Sequence, residues 1–130
     1  GIQYGYPVID VAVVLTDAVY NEQTSTEFAF EAAANLGFDN ACRQAAPFLL
    51  EPIMKVDVMC PKDFMGDVIN GLTMRGGLVH GVESRPAMEH ITAETPLRNM
   101  FGYSTALRSM TQGRGNYAME FSHFARKSDE

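Results

Sequence analysis

Between residues 53 and 124 the hydrophobic period alternates between two residues and nearly four, and that succession leaves few folds open. Met54, Val56, Val58 and Cys60 point one way, and Lys55, Asp57 and Met59 the other, as on a half-buried strand. Pro61 suits the first turn of a helix. Phe64, Met65, Val68, Ile69 and Leu72 then recur as a helical stripe, which Gly76 and Gly77 break. Residues 78–84 and 88–95 read as two strands joined near Arg85 and Pro86. Leu97, Met100, Phe101, Ser104 and Leu107 mark a second helix closed by Gly113 and Gly115, with Phe101 expected in the core. Residues 116–124 complete the set as a strand with Tyr117, Met119 and Phe121 inward. The order β-α-β-β-α-β is the ferredoxin-like split βαβ pattern: an α+β sandwich with two helices on one face of a four-stranded antiparallel sheet.

The first 47 residues supply less. Residues 6–16 read as a strand with Ile9, Val11, Val13 and Leu15 on one face. Thr24, with Glu27 three residues on, reads as a capping box opening a helix that runs to about Ala46 and stops at Pro47. Residues 49–52 read as a connector. One strand and one helix cannot cover each other's apolar faces, so this part is expected to be the end of a larger domain. Its edge is weakly guarded by charge and could pair with a second copy, giving a homodimer through residues 1–47, or fold back on the rest. The division expected is 1–50, 51–126, and a polar tail over 127–130.

Ten basic against sixteen acidic residues give a net charge of −6, which argues against a free-standing nucleic-acid binder relying on bulk charge. Cys42 and Cys60 lack metal-ligand spacing and read as reduced thiols of a cytoplasmic protein. No apolar run approaches the roughly 20 residues of a membrane span. No phosphate loop, Ser-His-Asp order, HExxH or CxxC pattern occurs, so no catalytic, cofactor or metal residue is assigned to this chain. His80, His90 and His123 lie on three different strands, and a shared metal site would require the fold to gather them. Residues 77–85 imitate the glycine-rich anion loop of acylphosphatases. Such a loop belongs between a first strand and a first helix, whereas this one follows a helix and reads as strand. Arg98, Arg108 and Arg114 fall in or just after the second helix. Ten residues separate Arg98 and Arg108, roughly 80° around a helix, so both could serve one surface, with Tyr103 between them to stack on a base.

The stretches Gly5-Tyr-Pro-Val-Ile-Asp-Val, Leu50-Glu-Pro-Ile-Met-Lys-Val, Gly66-Asp-Val-Ile and Met100-Phe-Gly-Tyr-Ser-Thr-Ala-Leu-Arg-Ser-Met-Thr-Gln-Gly-Arg-Gly, with Tyr117-Ala-Met-Glu-Phe after them, resemble bacterial-type translation elongation factor G in order and over nearly the whole chain. The resemblance implies that residues 1–50 are the end of domain IV, a strand-helix remnant of an α/β fold like domain 2 of ribosomal protein S5. It implies that residues 51–126 are the ferredoxin-like domain V.

What the resemblance implies of function belongs to the whole factor. GTP and Mg would be bound upstream, and this chain would be a noncatalytic part of a GTPase that drives translocation of tRNA and mRNA on the ribosome. Domain V would meet rRNA and stalk-base proteins of the large subunit. The loop after residue 16 would lie at the domain IV tip, near the tRNA–mRNA and the small subunit. Candidate contacts are Tyr20, Asn21, Glu22 and Gln23 in that loop, and Arg75, Arg98, Tyr103, Arg108 and Arg114 in domain V. Two departures stand out. The family's Asp-Gly-Ser-Tyr-His is Asp17-Ala-Val-Tyr-Asn21 here, replacing a titratable imidazole by an amide that can only hydrogen-bond. Arg75 is followed by Gly76 where the family often has paired arginines. A ribosome-recycling or ribosome-protection paralogue is therefore an alternative, and a ferredoxin-like small-molecule regulatory domain is an alternative of another class.

Overall fold

The computed structural model describes residues 1–128 and divides into two units, residues 1–49 and residues 50 onward. In the second unit β1 (Leu50–Cys60) is followed by α2 (Met65–Met74), β2 (Leu78–Ser84), β3 (Glu89–Pro96), α3 (Tyr103–Met110) and β4 (Asn116–Arg126). The first unit contains α1 (Glu27–Gln44). The four strands form one sheet in the order β2-β3-β1-β4, every neighbouring pair antiparallel. This is the expected ferredoxin-like α+β sandwich. Of the residues anticipated as a connector at 49–52, Leu50, Glu51 and Pro52 extend β1 instead, pairing with Arg126, Ala125 and Phe124. The tail expected over 127–130 lies partly outside the described residues.

The core forms where the period-two and helical stripes meet. Val56, Val58 and Cys60 from β1 and Ile91 and Ala93 from β3 are fully buried against Val68 and Leu72 of α2 and Tyr103 and Leu107 of α3. Gly76 adopts φ +77° after α2, while the Gly76 N–H donates to Thr73 O and the Gly77 N–H to Leu72 O. A Cβ on Gly77 would sit 2.7 Å from Leu72 O and 2.8 Å from Thr95 Oγ1, so no larger residue fits between helix and strand.

Several side chains stand elsewhere than the stripes suggest. Phe101 is 77% exposed, and Tyr103, expected on the surface, is 1% exposed. The second helix does not begin at Leu97. A short 3-10 turn over Leu97–Asn99 precedes it, and Gly102 at φ +77° resets the chain before Tyr103. That break rotates Phe101 out and Tyr103 in. Met119 and Phe121 are also 37% and 54% exposed, since α3 has eight residues, about 12 Å, whereas β4 has eleven, about 37 Å.

In the first unit the strand expected over residues 6–16 is not formed. Asp10 has φ +57°, which breaks an extended run, and no second strand is present in this unit to complete a ladder. The edge on which pairing with a second copy was expected is thus not formed by the chain alone. The helix does form, but its cap is Thr26 rather than Thr24: Thr26 Oγ1 accepts from the Ala29 N–H at 3.1 Å. No residue of α1 is buried.

Burial pushes the Tyr103 hydroxyl up to about 12 from its ordinary 10, with the Arg75 guanidinium opposing. Between those values the unfolded chain carries a phenolate while the folded one stays neutral. Stability is therefore full below pH 10 and falls as pH rises towards 12, by on the order of 2 kcal/mol. Urea unfolding across this range, compared with Tyr103→Phe, checks it. The variant should lose less stability over the same interval, and should fold well at pH 7 because the buried hydroxyl has no hydrogen-bond partner among the described residues.

Candidate nucleic-acid interface

The two faces of the second unit differ in charge. The open sheet face, opposite the helices, carries Asp57, Glu83, Glu94 and Glu120 with Lys55. His90 Nε2 lies 2.8 Å from Asp57 Oδ1, and His80 Nε2 lies 3.5 Å from Glu94 Oε2. His123 Nδ1 lies 2.9 Å from Ser122 Oγ. Among the described residues no group of three or more His, Cys, Asp or Glu could hold a metal ion. A surface of carboxylates repels phosphate. Within the acylphosphatase-like residues 77–85, Leu78–Ser84 form β2, whose backbone pairs with β3 instead of curling round an anion.

The helix side offers the opposite chemistry, concentrated where α3 ends. Arg108 is in the last turn and exposed, with no ion pair among the described residues. The chain then turns back through Thr111-Gln-Gly-Arg-Gly115. Thr111 is fully buried: its hydroxyl donates to Leu107 O at 2.7 Å and accepts from the Gly115 N–H at 2.9 Å. A Cβ on Gly115 would meet Thr111 Oγ1 at 2.9 Å, so glycine permits the close return. The Gly113 N–H donates to Arg108 O at 2.8 Å, as the Gly77 N–H does to Leu72 O after α2. Here two successive residues are left-handed, Gln112 at φ +55° and Gly113 at φ +78°, and at Gln112 glycine would be unstrained. Arg114 projects over the Phe64 ring at 6.0 Å. The turn therefore places Arg108, Gln112 and Arg114 around one helix end.

The other candidates are placed differently. Arg75 is a clasp. Its guanidinium donates to Asn99 O at 2.7 Å and Phe101 O at 3.3 Å and lies 5.1 Å from the Tyr103 ring centroid, while Asn99 Nδ2 donates to Arg75 O at 2.8 Å. Arg98 precedes α3 and is bound to Glu51, Nε to Oε2 at 2.7 Å, so it does not share a helix face with Arg108. Tyr103 is in the core and cannot stack on a base. In the first unit Tyr20, Asn21, Glu22 and Gln23 share one exposed turn. Asn21 Oδ1 accepts from the Gln23 N–H at 2.9 Å, and Tyr20 stacks on Phe30 at 6.4 Å. The asparagine thus builds the loop. Sequence reading passed over Gln112. The signal was available as a non-glycine residue before Gly113 at a helix end, but only backbone angles reveal the left-handed conformation.

Comparison with known proteins shows the family. The family model for the elongation factor G C-terminus matches residues 48–130, and that for elongation factor G, domain IV, matches residues 1–46. The chain belongs to the elongation factor G family. Elongation factor G 1 of Treponema denticola is 52% identical over 124 residues, which is 95% of this chain and 18% of that relative. A crystal structure from Thermus thermophilus superposes with a TM-score of 0.79 at 39% identity, over 85% of this chain and 17% of its own. The chain thus spans less than a fifth of the length of each of these two proteins. No helix among the described residues is long and apolar enough to cross a membrane.

Gln112 ties stability to the site. Gln112→Gly should raise the stability of the second unit by roughly 0.5–1 kcal/mol, since a left-handed side chain is relieved. Thermal denaturation reads it directly. An unchanged or lowered midpoint would mean that Gln112 contacts stabilise the turn more than its backbone strains it.

Proposed function

We propose that this chain is the ribosome-contacting C-terminal part of an elongation factor G, a translational GTPase that promotes GTP-dependent movement of tRNA and mRNA. The observation that carries the reading is the pair of consecutive family matches, domain IV then C-terminus, together covering nearly all of the chain. The chain itself has no phosphate loop, so GTP and Mg would be held by another part of the whole protein. Within the second unit, Arg108 and Arg114 meet rRNA phosphates of the large subunit. Positive charge concentrated at one helix end suits that role in a chain whose net charge is −6. The turn around Tyr20, Asn21, Glu22 and Gln23 faces the tRNA–mRNA on the small subunit, and the protein works in the cytoplasm.

A ribosome-recycling or ribosome-protection role is the second reading. Asn21 favours it, because this residue shapes the tip turn where the family's histidine could add charge. Translocation and ribosome-splitting assays on the full-length factor separate the two roles.

Two outcomes test the main reading. In the full-length factor, Arg108→Ala should weaken ribosome binding and lower the slope of log affinity against log salt by about one, as for one lost phosphate contact. Unchanged affinity and slope would remove Arg108 from the interface. Calorimetric titration of this chain alone with GTP should show no binding, and micromolar affinity would contradict the division of labour.

A further inference from the structure

The first residues of β1 reach past the body of the sheet. β3 pairs with β1 only from Ile53 onward, whereas β4 pairs with it from Leu50. Leu50, Glu51 and Pro52 therefore form a two-stranded ribbon with Phe124, Ala125 and Arg126. Such a ribbon is marginal in water by itself. Pro52 brings no N–H to it. At its root the register slips between Ile53 and Met54, and a bulge of this kind bends a strand and disrupts its ladder. The ribbon also lies where the chain passes from one unit to the other. The unit boundary falls between residues 49 and 50, and the two family matches meet between residues 46 and 48.

Arg98 ties this ribbon to the body of the second unit. It stands in the 3-10 turn that follows β3, and its Nε donates to Glu51 Oε2 at 2.7 Å. The Glu51 side chain is only 12% exposed, and this is its one ion pair among the described residues. Little water reaches the carboxylate, so the attraction is less screened than between two surface charges. The pair is backed from behind. Arg98 Nη1 donates to Asn99 Oδ1 at 3.3 Å, Asn99 Nδ2 donates to Arg75 O at 2.8 Å, and Arg75 Nη1 donates to Asn99 O at 2.7 Å. The clamp is thus held by a network and not by a lone flexible side chain.

We infer that Arg98 is a positioning residue for translocation: by clamping Glu51 it keeps the β1–β4 ribbon stiff, so that the connection between the two units does not yield under load. The inference rests on the functional reading above and adds a residue to it. The test uses the full-length factor with two readouts, hydrogen exchange over residues 50–53 and 123–126 and the single-round rate of translocation at saturating factor. Arg98→Met keeps the stem and removes the guanidinium, and Glu51→Gln keeps the shape and removes the charge. Either should speed exchange over both segments roughly five-fold, as for loss of a well-ordered ion pair. Either should also slow translocation severalfold, with ribosome affinity and its salt slope unchanged. The double variant should do no more than either single one, and Arg98→Lys should recover most of the rate. Weaker affinity and a flatter salt slope in Arg98→Met but not in Glu51→Gln would mean that Arg98 meets RNA, which overturns the inference. Unchanged exchange, or faster exchange with an unchanged translocation rate, overturns it as well. If the wild-type factor does not translocate at all, the functional reading fails and the inference with it, although exchange still shows whether the clamp holds the ribbon.

Discussion

Burial of the central strand β1 between β3 and β4, with both helices over one of its faces, is the constraint on which the second unit depends. Val56, Val58 and Cys60 have no exposed surface, and they form one buried cluster with Ile91 and Ala93 of β3 and the inward residues of both helices. A core this small has no redundancy. Leu72 or Leu107 reduced to alanine would leave a cavity that costs about 2–5 kcal/mol, a large share of a small domain's stability. The glycine at 77 follows from the same constraint, because helix α2 must return to the sheet with no room for a Cβ.

Tyr103 links this core to the surface. Its ring meets Tyr117 edge-on, centroids 5.0 Å apart, and the Arg75 guanidinium lies against it. Arg75 in turn grips the backbone of residues 99 and 101. At the other end of α3, Thr111 does the equivalent work with a buried hydroxyl that holds Leu107 and Gly115. The helix is short, yet its two ends are fixed by separate devices. The groups displayed there, Phe101 before it and Arg108, Gln112 and Arg114 at its close, are presented from a rigid frame.

Much of the fold was legible because the β1 and α2 stripes in the sequence correspond to faces that are in fact buried. The sandwich order, the buried residues of β1, and α2 with its glycine stop all follow from period alone. What period could not show was the break at Gly102. A continuous helical stripe from Leu97 puts Phe101 inside, and a single left-handed residue reverses that. Arg75 and Arg98 looked like surface charge because ion pairs and carbonyl clasps join residues 24 to 47 positions apart. Residues 6–16 have the alternation of a strand, but alternation states only a preference. Without a neighbouring strand its amides have no ladder to join. The family motif drew attention to the arginines in and after α3, while the separation of an acidic sheet face from a cationic helix end emerged only from the register of the strands.

The central claim is that the second unit turns its α3 side, and not its sheet, towards RNA. Site-specific photo-cross-linking of the full-length factor on ribosomes tests this most directly, with the probe placed at exposed Ser109 on α3 or at exposed Ala118 on the open sheet face. Cross-links to large-subunit rRNA are expected from position 109 and none from position 118. RNA cross-links from position 118 with none from position 109 would contradict the claim.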